Sequence, residues 1–175
     1  MKLPLHKLRC RFLEFLFTIS VNIYRPLFKR KTKAWNLTLA DLNQYESGTL
    51  GKSLAIFMKH NKFDVQDKLE SHDVFHVLTE TGTTVPEEIS MQYLLWASGK
   101  RSVYSLITIG LGTSILPERL TLYLSARKIG QSMVDISAWD LKEMLDQPVS
   151  ELRSKMYKRR SYSTMNQLLS NSSRL

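Results

Sequence analysis

The stretch "SHDVFHVLTETGTTVPEE", Ser71 to Glu88, holds two of the chain's four histidines and four of its sixteen acidic residues. His72 and His76 are four residues apart, so in an α-helix they share a face one turn apart, and two imidazoles can reach one ion. Asp73 is turned about 100° from His72, at the edge of the same face. Glu88 comes twelve residues after His76. A short loop through Gly82 would bring the start of a following helix back beside the first. Two neutral nitrogens and two carboxylate oxygens make a donor set for a divalent transition metal. A second reading needs no ion. Histidines at this spacing also occur on solvated helix faces, and the positive end of the helix macrodipole favours acids such as Glu87 and Glu88 at a helix start.

Two metal-enzyme patterns are excluded. A zinc protease needs a glutamate after its first histidine as general base, where this chain has Asp73. A His-Asp phosphohydrolase needs more ligands than His6 and His60, the remaining histidines, can add. His60, in "KHNKF", is expected to face solvent at a helix end.

Helical periodicity dominates from residue 50 onward. Leu50, Leu54, Phe57 and Met58 fall on one face, ending at "HNKF". A second helix is predicted from about Asp64 to Leu78 and is broken by Gly82. A third starts at Pro86, with Thr83 or Thr84 at its cap, Glu87 and Glu88 in its first turn, and Ile89, Met91, Leu94, Leu95 and Trp96 on its apolar face. "SVYSLITIGLGTSIL" is apolar nearly all round and is predicted to be a buried helix, with Gly110 and Gly112 kinking it or admitting a close neighbour. Pro117 opens a further helix, Ser137 caps "AWDLKEMLD", and "SELRSKMY" closes the domain. No period-two strand is evident. The expected fold is all-α, a single helical bundle-like domain.

The net charge of +9 is unevenly distributed. Residues 1–35 carry nine Lys/Arg against one acid and residues 151–175 six against one, whereas residues 36–150 carry ten against fourteen. A mildly acidic body between basic ends argues against a nucleic-acid groove and suits arms that meet an anionic surface. Residues 12–24, "FLEFLFTISVNIY", form an apolar run flanked by basic residues. It falls short of the ~20 residues a bilayer span needs, and no small-residue cleavage site follows it. It is either a core helix or a helix lying in a membrane interface. Three regions are expected: residues 1–35, a basic amphipathic segment whose helix takes one of these two places; residues 36–157, the helical domain; and residues 158–175, a disordered basic tail. The single cysteine, Cys10, forms no internal disulfide, which fits a reducing compartment.

These residues also carry a family resemblance. "HDVFHVLTETGTTVPEE" resembles the signature of the Coq-four family of ubiquinone biosynthesis: His-Asp-x-x-His, eleven residues, then Glu. "GTLGKSLAIFMKHNKF" is similar to the family's Gly-Ser/Thr-Leu-Gly segment, "EISMQYLLWASGK" to the helix after the glutamate, and "PERL" and "DQPVSELRSKM" to its last helices. The likeness covers roughly residues 40–157. Two features depart from it: a much shorter segment between "GTLG" and the His-Asp pair than in mitochondrial members, and Glu80-Thr81-Gly82 where a Gly-x-Pro is usual. Both suggest a compact bacterial relative.

The resemblance implies a mostly helical protein on the membrane surface with His72, Asp73, His76 and Glu88 as ligands of a divalent metal, commonly zinc. Glu88 is favoured over Glu87, which replaces a small residue. Iron or manganese also suits two histidines with carboxylates. The implied activity is removal of the ring carboxylate at C1 of a polyprenylated aromatic quinone precursor and its replacement by hydroxyl. The apolar helix at 103–116 would supply a channel for the tail. The alternative is a non-catalytic prenyl-lipid-binding scaffold for other quinone-biosynthesis proteins. Whether the chain is an enzyme, and which residues would be catalytic, is left open. The expected partners are the prenylated precursor, the membrane surface, other enzymes of the route and a second copy in a homodimer, with no nucleic acid. The expected place is cytoplasmic, peripheral on the inner face of the cell membrane, or on the mitochondrial inner membrane in a eukaryote.

Overall fold

Apolar residues three and four apart wind this chain into helices, and the caps fall where the sequence supplies them. The computed structural model describes residues 5–28, 34–65 and 70–157. The tail 158–175 and the basic cluster 29–33 lie outside the described residues. Eight α-helices occur among the described residues, with no named strand, so the fold is all-α: α1 (Leu5–Phe28), α2 (Leu39–Asn43), α3 (Leu50–Asn61), α4 (Glu70–Thr79), α5 (Val85–Ala97), α6 (Val103–Ile115), α7 (Leu120–Ser132, after a 3₁₀ turn at Pro117–Arg119) and α8 (Val149–Met156).

Several boundaries agree with the sequence. Thr49 caps α3 through its side chain, and Lys62 ends that helix in the left-handed conformation. Thr84 begins α5 with Pro86 in its first turn. Thr38 and Asp41 form a reciprocal capping box on α2, a helix the periodicity did not flag. His60 is exposed in the last turn of α3, as expected.

The main core gathers Leu50, Leu54 and Met58 of α3, Val74, Phe75 and Leu78 of α4, Met91, Leu94 and Leu95 of α5, Ile129 of α7, and Leu152 and Met156 of α8. Helix α5 is its centre and packs most extensively on α7. Gly130 makes that approach possible: a Cβ there would stand 2.2 Å from the Leu94 carbonyl oxygen. A smaller cluster of Leu13, Val85, Ile89, Leu116 and Tyr123 joins α1 to the other side of α5.

Two expectations are corrected. "AWDLKEMLD" is not a helix; residues 137–147 run through turns. The carbonyls of Leu145 and Gln147 instead accept the amides of Gly51 and Leu50 at 2.7 and 2.9 Å. The orphan donors at the start of α3 thus hold this segment in an irregular path. Ser137 donates its amide to Asp135 rather than capping a helix. Secondly, α6 is a helix but is not buried. Val103, Leu106, Ile107 and Leu111 are exposed, and the residues turned inward are Ser105, Thr108 and Gly112. Periodicity could not show this, because an all-apolar helix gives no moment to point its face inward. Close packing decides the orientation: a Cβ on Gly112 would meet Ile89 Cδ1 at 2.5 Å, so only the small face fits against α5.

Helix α1 docks on the domain by one side and leaves an apolar stripe exposed on another. Leu13 is fully buried, and Arg9 pairs with Glu118 to fasten the helix to the 3₁₀ turn, where His6 Nδ1 also lies 3.4 Å from Glu118. Leu5, Leu8, Phe12 and Phe15, at helical spacing, remain exposed.

Candidate metal centre

The site forms where His72 and His76 of α4 meet the first turn of α5. On α4 the 3.6-residue period places His72 and His76 on one face, with ring centroids 4.9 Å apart. Their Nε2 atoms are 3.2 Å apart. From α5, Glu88 sets Oε1 2.9 Å from His76 Nε2 and Oε2 3.5 Å from His72 Nε2. Donors about 2.0–2.1 Å from a tetrahedral ion stand about 3.3 Å from one another. The two histidine nitrogens, 3.2 Å apart, match that value, and the 2.9 and 3.5 Å contacts are made by different oxygens of Glu88. The three residues form a group that could hold an ion, each offering one donor atom within 4.8 Å of the others.

The two glutamates separate by role. Glu87 turns back to the cap, where it accepts from the amide of Thr84 at 3.1 Å. Glu88, one residue and about 100° on, faces the histidines. Asp73 is not part of the three-residue group, although its charge contributes to raising the pKa of His76.

The electrostatics follow from packing. Burial alone would raise the Glu88 carboxyl, but the neighbouring His72 charge and hydrogen bonds from both histidines outweigh it and lower it from 4.5 to about 2. Burial alone would lower His76, but the hydrogen bond and charge of Glu88 and the Thr81 carbonyl reverse this and raise it above 6.5. Without an ion, a proton on His76 therefore links the ring to Glu88, and a bound cation would displace that proton.

Four surrounding residues carry little signal in the sequence. Phe57 of α3 stacks on His76 at 5.3 Å between centroids and 14° between planes, walling off one side of the ring. Thr81 presents its carbonyl to His76 Nδ1 at 3.2 Å. Glu80 and Arg153 form an ion pair behind the loop. The Phe57 contact was accessible only as membership of an apolar face; the others depend on chain segments meeting in space.

Comparison with solved structures identifies a likeness to a crystal structure from Nostoc punctiforme, of a protein provisionally named a ubiquinone biosynthesis protein. The TM-score is 0.60 at 21% sequence identity, over 87% of this chain and 81% of that one. The two chains share a fold. No family model matches the sequence, and no curated protein does. Among the described residues, no helix is long and apolar enough to cross a membrane.

Proposed function

We propose that this chain is a metal-dependent protein of ubiquinone, or related prenyl-quinone, biosynthesis. On this reading it works at a membrane surface on the ring carboxylate of a polyprenylated aromatic precursor. The observation that carries the reading is the convergence of His72, His76 and Glu88 from two helices at ligand spacing. The likeness of the motif to the Coq-four signature and the name of the Nostoc neighbour support the choice of route.

Each residue has a role. His72 and His76 bind through Nε2, and Glu88 supplies negative charge from α5. The ion, when bound, supplies a Lewis acid that polarises a carboxylate or hydroxyl oxygen of the ring. Three protein ligands are the number found in catalytic zinc sites, which leave a position for water or substrate. Phe57 excludes water from one side, and the Thr81 carbonyl keeps the proton of His76 on Nδ1. Exchange of a ring carboxylate for hydroxyl is an oxidation, so a zinc-loaded protein would need a separate oxidant, whereas iron or manganese can take part in redox chemistry.

The inverted face of α6 and the exposed stripe of α1 support the membrane part of the reading. They offer Leu5, Leu8, Phe12, Phe15, Leu106, Ile107 and Leu111 to an apolar phase, beside the exposed cations Lys7 and Arg11. Flotation with anionic liposomes should weaken with salt and with removal of residues 1–33; binding indifferent to both would end this part of the reading.

The deciding experiment measures metal content in protein purified without added metal, with Glu88→Ala beside it. Turnover of a prenylated aromatic acid by wild type and by His76→Ala follows. A stoichiometric ion lost in Glu88→Ala, with turnover lost in a folded His76→Ala, supports the enzyme. A second reading is favoured by the ligands' joining α4 to α5: a non-catalytic scaffold in which the ion holds two helices together. It predicts that His76→Ala lowers the melting temperature while wild type turns nothing over.

A further inference from the structure

His76 is oriented by a loop, and that loop is held by the last helix of the domain. A carbonyl oxygen only accepts, so the 3.2 Å contact to Thr81 requires a proton on His76 Nδ1. The Glu88 carboxylate, 2.9 Å from Nε2, also only accepts, so in the metal-free ring both nitrogens are called on to donate; an ion that takes the Nε2 proton's place would leave Nδ1–H as the ring's remaining donor. The Thr81 carbonyl reaches this position because the chain reverses at Glu80, whose φ of 54° lies in the left-handed region that a side chain disfavours. Such a conformation persists where its surroundings impose it.

The imposing group is Arg153, on α8. Its Nη2 donates to the Val77 carbonyl at 2.7 Å, and its Nη1 pairs with the Glu80 carboxylate. The Val77 carbonyl belongs to the last turn of α4, where carbonyls have no partner within the helix. One planar guanidinium thus grips the end of the helix and the reversed residue together, on either side of the Thr79 hydroxyl that bonds Phe75 and Thr81.

We propose that Arg153 is a positioning residue for the metal centre: by clamping the end of α4 and the turn at Glu80, it fixes the ring orientation of His76 and the hydrogen bond from its Nδ1–H to Thr81. Its consequence for metal affinity rests on the metal reading above; its effect on that hydrogen bond does not. Partners that orient ligating histidines from behind are worth about 10- to 100-fold in metal affinity.

The test compares wild type with Arg153→Ala, Arg153→Lys, Glu80→Gln and, as a control on the exposed side of the same helix, Lys155→Ala. Two readouts apply: the hydrogen bond from His76 Nδ1–H to Thr81, followed by imidazole ¹H and ¹⁵N signals of metal-free protein with the ring protonated, and cobalt(II) affinity with its visible spectrum. Arg153→Ala should weaken that hydrogen bond, reduce cobalt binding about 10- to 100-fold and alter the spectrum. Arg153→Lys, which keeps the charge but not the fork, should fall between, and Lys155→Ala should match wild type. If Arg153→Ala fails to fold, Arg153→Lys and Glu80→Gln decide by the same readouts. An unchanged Nδ1–H hydrogen bond in the folded variants overturns the proposal. Wild type that binds no cobalt overturns the metal reading, and the hydrogen bond still decides the role of Arg153.

Discussion

Helices α4 and α6 flank α5 and invert each other's pattern. Helix α4 buries Val74, Phe75 and Leu78 and brings its histidines to the junction with Glu88. Helix α6 turns Ser105, Thr108 and Gly112 inward and leaves Val103, Leu106, Ile107 and Leu111 outside. Burial of apolar area drives α4 onto the core. For α6 that drive is partly unused, since its large side chains stay in water, and close backbone approach with the Ser105–Gln92 hydrogen bond fixes it instead. The contrast teaches that the two faces of α5 serve different ends: one builds a site, and the other leaves an apolar surface unpartnered.

Four measurements would break or sharpen that contrast. The largest effect is expected at the site, where His76→Ala should weaken cobalt(II) or zinc(II) binding by more than about 100-fold, since loss of a ligand exceeds loss of an orienting partner. Affinity near wild type would remove His76 from the ligand set. Next, equivalent truncations should differ sharply between the helices. Leu78→Ala should cost about 2–5 kcal/mol by urea unfolding, and Leu106→Ala only about 0.5 kcal/mol or less. Similar losses would show that α6 is covered in solution. Thirdly, Gly130→Ala should destabilise by about 1–3 kcal/mol, because the new methyl meets the Leu94 carbonyl and α5 and α7 must part; an unchanged midpoint would refute the tight crossing.

The smallest effect concerns pH. Glu88, depressed from 4.5 to about 2, contributes stability above 4.5 that is lost as pH falls towards 2. His76, raised above 6.5, contributes below 6.5 and loses that contribution as pH rises through its folded value. Metal-free protein should therefore gain most from this pair between 4.5 and 6.5. Ligation needs the neutral ring, so the melting-temperature rise given by zinc should grow from about pH 6 to about pH 8. Parallel pH trends for metal-free and zinc-treated protein would show that ion and proton do not compete.

The histidine pair, the return through Gly82 and the start of α5 were readable because each is a local pattern: four residues on one helix, a breaker, and a cap before an apolar run. The separation of Glu87 from Glu88 came by resemblance, and the Thr84 cap supplies its physical cause. The segment at 137–147 misled because its apolar spacing serves Leu141 and Leu145 in the core without a helix, once the amides of α3 claim its carbonyls. Arg153 gave no signal at all, being 77 positions beyond His76 in the chain.

Sequence alone determined that the chain is helical, where most of its helices begin, and that two imidazoles share a face, since side-chain period, caps and breakers act over a few residues. Only the tertiary structure decided which side of α6 faces water, which glutamate meets the histidines in space, and which arginine reaches behind them. Those outcomes depend on how closely two backbones can approach and on which orphan donor finds which carbonyl, quantities that exist only between segments distant in the chain.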